Sequence, residues 1–145
     1  MFSHHEPIRH YHGDTVRSLF LAVVSVYFLA IPFWGHILPF GTLFEVLSGI
    51  VLIALAGFIN PHSRWVMVLC AIAAAFGAFL LEVTAITYHA RDPLPLLLVR
   101  EAGALMLLAA LYYSMRTLRA MSQGKIGMAP LPWEFEKKRA NDTDV

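Results

Sequence analysis

Charge is scarce in this chain. Only 14% of its 145 residues are Asp, Glu, Lys or Arg, against about 25% in an ordinary soluble domain. With 58% hydrophobic residues and a mean hydropathy of +0.62, the composition is that of a membrane protein. The net charge of +1 leaves no concentrated basic face, which excludes a nucleic-acid binder. Cysteine is nearly missing too. Cys70 stands alone in an apolar run, so it has no internal disulfide partner and belongs to no zinc or haem-attachment motif; it reads as a small buried hydrophobe. No glycine-rich phosphate loop and no thiol pair occurs, so the reading leans away from an enzyme.

What the chain does have is long apolar runs. Four of them, 18–38, 42–59, 65–88 and 94–115, each come near the about 20 residues that cross a hydrocarbon core about 30 Å thick. Turn chemistry separates them: "PFGT", "NPHSR" and "HARDPLP". Links this short make sequence neighbours pack antiparallel. The first run exceeds a signal-peptide core, lacks a small-residue cleavage site and follows a long polar segment, so it reads as a retained helix. The expected fold is all-α: an integral membrane antiparallel four-helix bundle with both termini cytoplasmic. Residues 1–17 form a His-rich N-terminal tail, 18–119 the four-helix domain, and 120–145 a flexible C-terminal tail.

Orientation follows from the basic residues. Arg9, Arg17, Arg64, Arg116, Arg119, Lys125, Lys137, Lys138 and Arg139 fall on one side, and only Arg91 and Arg100 on the other. The positive-inside rule then puts both ends in the cytoplasm, which implies a multi-pass protein of the cell membrane, by its pattern a bacterial inner membrane.

The segment "LLLVREAGALML" places Arg100 and Glu101 inside an apolar run. Arg100 lies about 8 Å, Glu82 about 9 Å and Glu45 about 5 Å from the outer ends of their helices. A charge in hydrocarbon costs roughly 2.5–3.5 kcal/mol, so it turns toward protein. Each also shares its helix face with small residues: Ala78, Ala75, Ala74 and Ala71 near Glu82, Ser48, Gly49 and Ala56 near Glu45, Gly103 and Ala104 near Arg100. The expectation is an outer-leaflet ion-pair layer in which Arg100 meets Glu82, Glu45 or both.

Three acids, Glu45, Glu82 and Glu101, exceed the one arginine. The surplus would fix helix register, carry protons or a cation, or join His36 and His89 around a divalent metal. No other cofactor is expected. A second candidate for metal capture or pH sensing is the tail histidines His4, His5, His10 and His12; the plainer alternative is a solvated tail. A steep voltage sensor is excluded, because no ladder of arginines follows Arg100 before Arg116 and Arg119. In the C-terminal tail, Trp133 and Phe135 beside Lys137 to Arg139 would rest on lipid or dock a partner.

"VRSLFLAVVSVYFLAIPFW", "LSGIVLIALAG" and "SRWVMVLCAIAAAF" together resemble the N-terminal four-helix region of small bacterial potassium-channel-like proteins. That family's pore helix and selectivity filter have no counterpart here. "FEVLSGIVLIALAGFINPHSRW", with Glu45, Gly49 and Gly57, looks like the second helix of DoxX-type four-helix membrane proteins, which would imply a link to quinone or thiol redox chemistry. The leading functional expectation is an accessory subunit or oligomeric scaffold, a homo-oligomer or part of a larger membrane complex, in contact with the lipid bilayer. The alternative is a proton- or cation-handling, transporter- or channel-like protein using Glu45, Glu82 and Glu101. A redox-associated role comes third.

Overall fold

The computed structural model describes residues 11–34, 38, 40–60 and 63–124. These form four helices in chain order: α1 (Gly13–Trp34), α2 (Thr42–Phe58), α3 (Arg64–Tyr88) and α4 (Leu94–Ser122). Helices α1, α3 and α4 are long and apolar enough to cross a membrane; α2, with 17 residues, is a shorter apolar helix. At 1.5 Å per residue, α2 is about 25 Å long, some turns shorter than its neighbours.

The helix ends follow backbone chemistry more than hydropathy. α1 begins at Gly13, ahead of the expected start at residue 18. Asp14 in its first turn meets the positive end of the helix dipole. The last turn of α1 carries Pro32, which withholds one amide from the ladder, and the helix stops at Trp34. α4 runs past the expected end at 115, because nothing from Arg116 to Ser122 breaks a helix. It stops where Gly124 takes up a left-handed φ of 69°, with the Gly124 amide donating to the Met121 carbonyl. Gly41, at φ 86°, makes the matching turn into α2.

Contacts at the helix ends fix an up-down arrangement. Arg17, near the start of α1, donates from Nε to the Ala56 carbonyl (2.9 Å) and from Nη2 to the Ile59 carbonyl (3.3 Å), at the end of α2. The His12 amide donates to Thr117 Oγ1 (3.3 Å), so the segment before α1 meets the far end of α4. The largest interface joins α3 to α4, followed by α1 with α4 and α1 with α2; that of α2 with α3 is smaller than these.

Small residues line the inside. Ala71, Ala74 and Ala78 of α3 are buried, as are Gly103, Ala104 and Ala110 of α4, while Ala75 faces outward. At Gly77 of α3 the end of the Leu107 side chain of α4 comes close enough that an added side chain would push it aside. The outer face of α3 is bulky: Trp65, Leu69, Ile72, Phe76, Phe79 and Ile86 are all exposed. Small-in and bulky-out is the reverse of a water-soluble bundle, whose large apolar side chains go inside. The small-residue faces of α3 and α4 are therefore buried within the bundle.

Candidate functional site

The polar layer lies at the end of the bundle that holds the α1–α2 and α3–α4 links. Arg100, 3% exposed, sits in the second turn of α4. Helical side chains lean toward their own N-terminus, so its long stem reaches back up α4. There Nη1 donates to the carboxylate of Asp92, two residues ahead of the helix. The guanidinium also lies 5.8 Å from the centre of the Tyr88 ring. Asp92 is held for this by its own amide, which donates to the Tyr88 carbonyl (3.0 Å). Its charge also complements the N-terminal end of the α4 dipole.

Glu45, 4% exposed, enters from the first turns of α2. Its Oε1 accepts the Leu38 amide, which ties the α1–α2 link down. Its negative charge also acts on Arg100. Tyr27 of α1 lies within the field of both. The Tyr27 hydroxyl packs onto α4 at Gly103, where any side chain would collide with it. That hydroxyl is buried and has no hydrogen-bond partner among the described residues. An unsatisfied buried hydroxyl costs about 1–3 kcal/mol, so it is a group with something to gain from a ligand.

Sequence reasoning put Glu82, Glu45 or both on Arg100. The structure puts Asp92 there, with Glu45 in its electrostatic neighbourhood. Glu82 and Glu101 are half-buried, and neither makes a hydrogen bond or ion pair among the described residues. In the sequence Asp92 reads only as turn chemistry, within "HARDPLP". Its signal was present: an acid just ahead of a helix whose second turn carries a buried arginine.

Only some of the histidines are among the described residues. His36, His4, His5 and His10 lie outside the described residues, as does the C-terminal tail with Trp133 and Phe135. His89 is exposed at the end of α3. His12 packs on Tyr113, with ring centroids 5.3 Å apart. Among the described residues no three His, Cys, Asp or Glu side chains gather as a metal site would require. Cys70 is buried in the core.

Beside the polar layer is a cavity of about 340 Å³, within the size range of small-molecule sites. Its floor includes Val23, Leu81 and Leu107, all buried. Leu47, Val51 and Phe76 on its rim are more than half exposed, so it opens sideways between α2 and α3. The opening follows from the packing. At Gly49, α2 leaves just enough room for the Phe28 ring of α1, and this draws α2 toward α1 and away from α3. Tyr27, Glu45 and Ser48 are its polar lining, and the Ser48 hydroxyl already donates to the Glu45 carbonyl (2.9 Å). Glu82 and Glu101 do not line it.

The arrangement can hold an apolar body in the cavity, with Tyr27, Glu45 and Ser48 as the polar residues of its wall. No protein family, curated protein or solved structure matches the chain.

Proposed function

We propose that this is a four-span integral membrane protein with both ends in the cytoplasm, acting as a non-catalytic accessory protein that holds a neutral lipophilic molecule. The observation that carries the reading is the sideways-opening apolar cavity, lined in part by Tyr27, whose buried hydroxyl has no hydrogen-bond partner among the described residues. A molecule dissolved in the bilayer reaches such a cavity without passing through water. Its hydroxyl or carbonyl oxygen completes the hydrogen bonding of Tyr27. An anionic head is disfavoured, because Glu45 lies on the cavity wall.

Supporting the membrane reading are three helices of spanning length and the bulky apolar outer face of α3. The transport reading finds one carboxylate, Glu45, at the cavity. A scaffold built on small-residue faces finds those of α3 and α4 already used within the chain.

Native mass spectrometry of protein purified from membranes in mild detergent tests the proposal. It should retain a stoichiometric neutral lipophile. Ala73→Phe, which fills the cavity from α3, should lose that species with helical content unchanged. Tyr27→Phe should weaken retention about tenfold, the worth of one hydrogen bond. An empty wild-type protein, or equal loading of the filled variant, refutes the reading.

A further inference from the structure

Three arginines border one crevice at the end of the bundle opposite Arg100. Arg64 opens α3, and Arg116 and Arg119, one turn apart, stand near the end of α4. The crevice between them has a volume of about 1040 Å³ and, among the described residues, is lined by no acidic side chain. All three arginines are exposed, and none of their guanidinium groups has a hydrogen bond or ion pair among the described residues. This contrasts with Arg17 and Arg100, which carry the same charge and are engaged by the chain itself.

Three neighbouring cations repel one another, and an anion placed between them removes that repulsion. A guanidinium offers a planar fork that matches two phosphate oxygens, so the arginines select for a phosphate group. The crevice walls select further. Val68, Tyr112 and Met115 continue it toward the middle of the bundle, and Tyr112 and Met115 expose more than half of their surface. Ser122 and Gln123 add hydrogen-bonding groups at the outer rim. A free anion would use the arginines and leave the apolar wall bare. A phospholipid uses both.

We propose that this crevice binds an anionic phospholipid of the surrounding leaflet, its phosphate among Arg64, Arg116 and Arg119 and its acyl chains along Val68, Tyr112 and Met115. The site rests on the membrane insertion proposed above and is independent of the cavity ligand.

The test uses the full chain in phosphatidylcholine bilayer discs, with phosphatidylglycerol added stepwise. Wild-type protein should gain thermal stability and retain phosphatidylglycerol over phosphatidylcholine by about tenfold or more, as expected for a phosphate with several basic partners. The preference should shrink as ionic strength rises. Replacing Arg64, Arg116 and Arg119 by Gln should abolish it, whereas Arg91→Gln, at the other end of the bundle, should leave it intact. Each single Arg→Gln change should remove part of the preference, which keeps the test valid if the triple variant folds poorly. Equal preference in wild type and the triple variant overturns the proposal. So does an equal stability gain from inorganic phosphate, which marks a site for soluble anions. Release of the protein from membranes by alkaline extraction would instead defeat the insertion reading.

Discussion

Arg100 keeps a full positive charge in a buried position because its own hairpin neutralises it. The Asp92 carboxylate and the Tyr88 ring both flank the α3–α4 turn, so the contact latches that hairpin, and the Glu45 carboxylate of α2 adds its charge. Removing one partner of a buried pair strands the other charge and costs about 3 kcal/mol; removing both does not. Arg100→Leu should therefore lower the unfolding midpoint markedly, and adding Asp92→Asn should restore most of the loss. Adding Glu82→Gln should restore none of it. A double-mutant cycle by thermal unfolding in detergent reads the difference, and rescue by Glu82→Gln would reassign the partner. The sequence made the layer visible, because charges in apolar runs are conspicuous. The pairing was hidden because axial depth says nothing about lean. Arg100 leans toward the N-terminal end of α4, which brings the loop acid within reach and makes the α3 acid the poorer choice.

At the scale of elements, α2 depends on its neighbours for both of its ends. Glu45 anchors its start to Leu38, and the Arg17 guanidinium takes up carbonyls at its other end. Orphan carbonyls at a helix end in a dry setting are costly, and a cation there also meets the negative end of the dipole. Arg17→Met keeps the apolar stem and removes the donors. Hydrogen exchange should then quicken about tenfold or more in the last turn of α2, the consequence of losing about 1–3 kcal/mol there. Exchange in the middle of α3 should not change, and a uniform change would mean that Arg17 supports the whole bundle. The number of helices and their order were legible from apolar lengths and turn residues. The outer bounds of α1 and α4 were not. Polarity at Arg17 and Arg116 marks where apolar side chains end, whereas a helix ends where the backbone cannot continue, as at Gly124.

The molecule as a whole is a bundle packed tightly on one side and loosely on the other. The α3–α4 interface is the most extensive, and α2 clings to α1 at Gly49, so the unequal spacing leaves the cavity between α2 and α3. No residue of the cavity announces it in the sequence. Leu47, Val51 and Phe76 read as ordinary span residues, and only the relative distances of the helices bring them to one rim. The most direct test is photolabelling in membranes with a neutral long-chain alcohol bearing a diazirine, followed by mapping of the modified positions. The account predicts label on Leu47, Val51 and Phe76 around Tyr27, with competition by unlabelled alcohol and loss in Ala73→Phe. Label confined to the outward positions Trp65, Ile72 and Phe79, indifferent to competitor, would contradict it.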